Sequence, residues 1–229
     1  MKDNNKKAML NYIAILAIYL FSGTGSWENA AIETMAQAWP AVDITLIRML
    51  GTIPFLVSMP IMLVIGGLVG KKISYRACVN IGSLLIIIGG AAPYIYAPSW
   101  TAVLIFRGLL GAGVGFYAVR NAALVKSVPY EKQARYIGLG TAMMNICNTV
   151  MQTLAGALTK ACWNAPFLVN AFAIIPAVYI ILCFKEPVED EPLLSEKEDE
   201  NLLKNEKMDY HGWVYAVIQF FSTLSLYPL

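Results

Sequence analysis

Of 229 residues, 58% are apolar and only 14% are charged, against roughly a quarter charged in an ordinary soluble domain. This balance excludes a disordered chain and a nucleic-acid arm, and four cysteines are too few for a disulfide mini-protein. A water-soluble domain of this length would need a charged skin that these residues do not supply, and a net charge of +2 names no partner.

The positions of the charges say more than their sum. No Asp, Glu, Lys or Arg occurs in 8–27, 49–70, 77–106, 136–159, 161–184 or 210–229, and 108–119 is empty as well, set off from 77–106 only by Arg107. Crossing ~30 Å of hydrocarbon takes about 20 mostly apolar residues. A backbone in lipid must satisfy its own hydrogen bonds, so each stretch is expected to be helix. Residues 77–119 are too long for one span, and Pro93, Pro98, Ser99 and Trp100 divide them with a turn and an interfacial aromatic. The sequence thus predicts an all-α integral membrane protein with segments at about 8–30, 47–70, 75–96, 100–125, 135–159, 163–184 and 212–229.

The first segment begins after Lys2, Lys6 and Lys7, as a signal peptide would. Ser22-Gly23-Thr24-Gly25-Ser26-Trp27-Glu28 offers no small-x-small cleavage site, so a retained helix is expected. Glu28 and Glu33 fall near its outer end. Two readings stay open for them: exposure to outer water, or an intramembrane acid able to take up a proton.

With the N-terminus placed in the cytoplasm, fourteen of the seventeen basic residues fall on the inside. Arg48 and Lys160 lie outside and Arg107 lies within a span. The positive-inside rule selects this orientation. Between the second and third segments runs Gly67-Leu68-Val69-Gly70-Lys71-Lys72-Ile73-Ser74-Tyr75-Arg76. In the third, Gly82, Gly89 and Gly90 read as a close-packing set.

Arg107 sits seven residues into the fourth segment, roughly 10 Å below the outer surface. A charge there costs several kcal/mol unless it faces the bundle interior or water, or snorkels to the headgroups. It opens the pattern Arg107-x-x-x-Gly111-x-Gly113-x-Gly115. Three glycines at those offsets from any of five arginines arise by chance only about 0.002 times. Gly111 and Gly115 share a helix face, where small residues let a neighbouring backbone approach.

On the fifth segment Asn145, Asn148 and Gln152 lie at helical spacing and could line one polar face or make interhelical hydrogen bonds. Asn80, Asn121 and Asn170 carry no assignment. Cys78, Cys147, Cys162 and Cys183 occur singly, and His211 is the one histidine. No zinc site, other metal site or Ser-His triad can be assembled from them. No cofactor is implied, and nothing points to an enzyme. Residues 186–209 hold ten acids and three lysines, a net −7 that reads as a solvated cytoplasmic tether or a regulatory segment.

The chain resembles the major facilitator superfamily of secondary transporters. The resemblance rests chiefly on Arg107, Gly111, Gly113 and Gly115, which match that superfamily's fourth-helix motif on the fourth segment. It implies that Arg107 serves substrate binding or proton coupling, with Glu28, Asn145 and Asn148 as further candidates. The family's loop motif, G-x-L-a-D-r-x-G-r-K, is met by Gly67, Lys72 and Arg76, but Lys71 stands at the aspartate position and Ser74 at the second glycine. Ala30 to Pro40 loosely resembles a run that closes the first helix in many bacterial members. The family's fifth-helix antiporter signature is absent.

The resemblance further implies six helices (1–185) arranged as a 3+3 inverted repeat, an acidic cytoplasmic linker (186–209) and the beginning of a seventh helix (210–229). The chain then reads as an N-terminal half in a bacterial inner membrane. Its partners would be the lipid bilayer, a small solute, a proton or other ion and a second six-helix half, with no role for nucleic acid. A homo-oligomeric channel built on Asn145, Asn148 and Gln152, or a non-transporting scaffold, is the alternative. Fold does not fix cargo.

Overall fold

The computed structural model describes residues 2–186, which belong to one unit of the chain, Met1–Val188. The acidic linker beyond Glu186, the expected seventh helix and His211 lie outside the described residues. The elements in order are α1 (Lys2–Phe21), a 3₁₀ segment (Thr24–Ala31), α2 (Ile32–Ala38), α3 (Ile44–Leu68), α4 (Tyr75–Ile95), α5 (Trp100–Phe116), a short 3₁₀ turn (Tyr117–Val119), α6 (Arg120–Ser127), α7 (Tyr130–Leu158), a second 3₁₀ segment (Ala165–Ala173) and α8 (Ile174–Cys183). Among the described residues there is no strand, only an isolated bridge between Val69 and Ile73.

Five stretches among the described residues are long and apolar enough to cross a membrane: Met9–Ala38, Ile44–Leu68, Tyr75–Ile95, Trp100–Ser127 and Ala165–Cys183. The 29-residue α7 is longer than any other helix described here, but Asn145, Asn148, Gln152 and three threonines dilute its apolar content. Large apolar side chains point outward on every long helix. Leu63 of α3 is 82% exposed and Leu182 of α8 is 74% exposed, with Leu84, Ile105 and Ile146 on the others. Outward apolar belts of this extent suit lipid and not water.

Two boundaries differ from the sequence expectation. The first span does not end at residue 30. It breaks after Phe21 and runs on through the 3₁₀ segment and α2 to Ala38. The cause lies in Ser22-Gly23-Thr24-Gly25-Ser26, where the Thr24 and Ser26 hydroxyls compete for backbone acceptors. Thr24 Oγ1 donates to Phe21 O (2.9 Å) and Ser26 Oγ to Gly23 O (2.9 Å), satisfying carbonyls at the break inside the protein. Likewise α7 begins at Tyr130, five residues before the expected start, and takes in Lys132 and Arg135.

Capping fixes the other ends. The side chains of Asp43, Ser74 and Ser99 accept from Thr45 N, Ala77 N and Ala102 N at the starts of α3, α4 and α5. Hydrogen bonds from the Thr45 side chain and amide hold the Asp43 carboxyl below the usual carboxylate range. The loop into α4 turns at Gly70, whose φ of 77° is one that glycine tolerates without a Cβ clash.

The two ends of the bundle differ chemically. At one end Trp39 packs against Trp100 (centroids 6.0 Å apart) and Trp163 (5.4 Å), an aromatic cluster of the kind found at a membrane interface. At the other, the middle of α1, the start of α4 and the chain just after α8 are tied together. Glu186 accepts from Tyr75 N (2.6 Å) and Arg76 N (2.9 Å), Arg76 Nη2 donates to Ile181 O (3.1 Å), and Lys185 N donates to Asn11 Oδ1 (2.9 Å).

The glycines of α5 set its position between α3 and α4. Gly111 and Gly115 face α3, where a Cβ would lie 2.6 Å from Pro54 Cα and 3.0 Å from Ser58 O respectively. Gly113 faces α4, where a Cβ would lie 2.7 Å from Gly82 O. By contrast Gly67 is open, with nothing near its missing side chain. Gly111→Ala is therefore expected to cost about 1–3 kcal/mol because backbone, not a flexible side chain, must retreat. Gly67→Ala should stay within about 0.5 kcal/mol of the parent. Thermal melting of the two variants in detergent checks the contrast.

Candidate functional site

Arg107 is fully buried, and so is Glu28. Arg107 Nη2 donates to Glu28 Oε2 at 2.7 Å. The pair joins the middle of the broken first span to α5. Of the two acids, Glu28 is buried in the interior, whereas Glu33, in the first turn of α2, is exposed.

Each remaining contact of Arg107 has a local cause. Nε donates to Leu50 O at 3.3 Å. In an unbroken helix that carbonyl would accept from residue 54, but residue 54 is proline and has no N–H. The acceptor is thereby left for the guanidinium. Gly111 lies one turn along α5 from Arg107 and lets the same stretch of α3 come close. Nη2 also donates to Gly25 O at 3.3 Å, within the 3₁₀ segment. The guanidinium stands 5.9 Å from the centre of the Phe167 ring. Its Nη1 is buried and has no hydrogen-bond partner.

The sequence left Asn170 without a role, but here it is fully buried against the pair. Its Nδ2 donates to Glu28 Oε1 and also to Gly90 O (3.2 Å) and Phe167 O (3.4 Å). No periodicity could single out one asparagine in an apolar run. The one sequence signal was Gly90 on α4, where a Cβ would lie 2.6 Å from Asn170 Cβ.

The other predicted residues divide. Asn148 accepts from Trp27 Nε1 at 2.9 Å, and Gln152 Nε2 meets Ser26 Oγ at 3.5 Å, so both face the 3₁₀ segment. Asn145 is exposed and does not join them. Lys72 and Arg76 are exposed at the opposite end of the bundle from the Trp cluster, and Gly67 lies in the last turn of α3.

The family model described as Major Facilitator Superfamily matches residues 9–229. The chain belongs to that superfamily. A curated relative, an MFS-type transporter of Claviceps purpurea, is 30% identical over 108 residues. The match takes in 46% of this chain and 19% of the relative, so the chain spans well under two thirds of that protein's length. The family and the outward apolar belts together make this a membrane protein of a transporter family.

Removing one partner of a buried ion pair leaves an uncompensated charge, at a cost of about 3–5 kcal/mol. Glu28→Gln should lower stability by that order. The apolar double variant Glu28→Leu/Arg107→Met should lose much less, because no charge stays behind. Melting of both in the same detergent measures the difference.

Proposed function

We propose that the chain is the N-terminal half of a secondary transporter that moves a small solute by alternating access, with the Arg107–Glu28 pair as its coupling element. The carrying observation is the pair itself: a glutamate and an arginine, both fully buried within stretches long and apolar enough to cross a membrane, bonded to each other at 2.7 Å, with the acid on an interrupted helix. An intramembrane ion pair on a mid-helix 3₁₀ break suits a joint that opens and closes. An anionic solute group would compete for Arg107, and a proton on Glu28 would weaken the pair. Either ligand biases the equilibrium only through its different affinity for the two states.

In this reading the first six spans form a 3+3 inverted repeat, and α7 is the fifth of them. Its polar residues are tolerated at depth because Asn148 and Gln152 are bonded to the first span. The basic end is cytoplasmic and the Trp cluster lies at the outer face of a bacterial inner membrane. The second six-helix half completes the cavity. Of the residues of the alternative pore, Asn145, Asn148 and Gln152, the last two are turned toward Trp27 and Ser26, and Asn145 alone is left exposed.

Transport of a radiolabelled panel of sugars, amino acids, organic anions and organic cations, in cells producing the full gene product, tests the proposal. At least one solute should move faster than in vector controls. Arg107→Ala should slow it about tenfold or more at equal membrane abundance, and an unchanged rate would remove the pair from the mechanism. Residues 1–229 alone, reconstituted in liposomes, should move none of the panel.

A further inference from the structure

Glu28 has two carboxylate oxygens, and the structure gives each a different partner. Oε2 goes to Arg107 on α5, and Oε1 goes to the Asn170 amide on the 3₁₀ segment Ala165–Ala173. All three side chains are fully buried. The orientation of the Asn170 amide follows from this neighbour. Turned the other way, Oδ1 would face a carboxylate oxygen with no proton between them. As it stands, Nδ2 is engaged by three acceptors, and Oδ1 is buried with no hydrogen-bond partner. An amide that leaves its oxygen unsatisfied in order to present its nitrogen is held there by the carboxylate. Gly90 makes the space, since any side chain at that position would displace Asn170.

We infer that Asn170 is a positioning residue for Glu28. It fixes the carboxylate from the side opposite Arg107, so that making or breaking the pair is felt by α4 and by the Ala165–Ala173 segment as well as by the first span and α5. The role rests on the proposed coupling function of the pair, but the contact itself can be tested separately. Among the described contacts Glu28 is the charged group bonded to Asn170, and Arg107 is linked to it through Glu28. α4 and its own segment contribute only the carbonyls of Gly90 and Phe167.

The test exchanges the two groups. Glu28→Gln, Asn170→Asp and the double variant are made in the full chain, and melting temperatures are read in detergent. Glu28→Gln strands the guanidinium, and Asn170→Asp sets two carboxylates against each other. The double variant places a carboxylate and an amide across the same contact with their identities swapped, and should regain at least half of the summed losses. Losses that simply add would overturn the inference. In case Asn170→Asp does not accumulate, Asn170→Leu keeps the volume without polar atoms. Its melting loss should be smaller by about half or more in the Glu28→Gln background than in the parent, and an equal loss in both backgrounds would also overturn it. These outcomes read only whether Asn170 acts through Glu28. Whether the pair couples transport is read by Arg107→Ala in the solute panel, so either idea can fail alone.

Discussion

A guanidinium that stays charged at membrane depth must be met by an opposite charge and by enough acceptors to replace water. In this protein Arg107 imposes that constraint, and much of the local architecture answers it. Glu28 supplies the charge, and it is at the right depth only because the first span breaks and then continues to Ala38. Leu50 of α3 supplies one carbonyl and Gly25, on the same 3₁₀ segment as Glu28, supplies another. Asn170 engages the second carboxylate oxygen.

The same residues that make room also make acceptors. Pro54 removes an N–H from α3 and frees the carbonyl of Leu50, and Gly111 lets that part of α3 lie against α5. The spacing of four between Arg107 and Gly111 puts both on one face of α5, so the arginine reaches the carbonyl that the glycine brings near. The motif is therefore one device and not a charge beside an unrelated packing stripe. Gly113, two residues on, faces α4 and keeps α5 wedged against its second neighbour.

Charge-free stretches revealed most of the spans because hydrocarbon excludes ionised groups from any helix that meets it. Arg107 stood out for the same reason. Glu28 and Glu33 could not be separated from sequence, since both follow one apolar run. The deciding signal was Ser22-Gly23-Thr24-Gly25-Ser26, which bears on a helix break as much as on a cleavage site. Asn170 was hidden because a lone polar residue in an apolar run gives no direction. The carboxylate at the start of α4 was out of reach for another reason: Glu186 arrives from 110 residues further along the chain, and local spacing carries no information about such a contact.

A buried ion pair is a poor choice for stability alone, because well-packed apolar side chains of like volume hold helices together at least as firmly. Its distinguishing property is that it can be undone by chemistry. A proton on the acid or an anion at the guanidinium changes its strength, whereas neither alters contacts between leucines. Here the pair sits where the first span is interrupted by 3₁₀ turns, and its acceptors are backbone carbonyls of α3 and of the interruption itself. Loosening it would release bonds to several helices at once rather than one side chain from one pocket. Interior packing is close and offers discrete arrangements more readily than gradual ones. A releasable charge contact shared among several rigid elements is thus the kind of joint through which a small ligand can bias a whole bundle, and that is the physical ground for reading Arg107 and Glu28 as a coupling element rather than a staple.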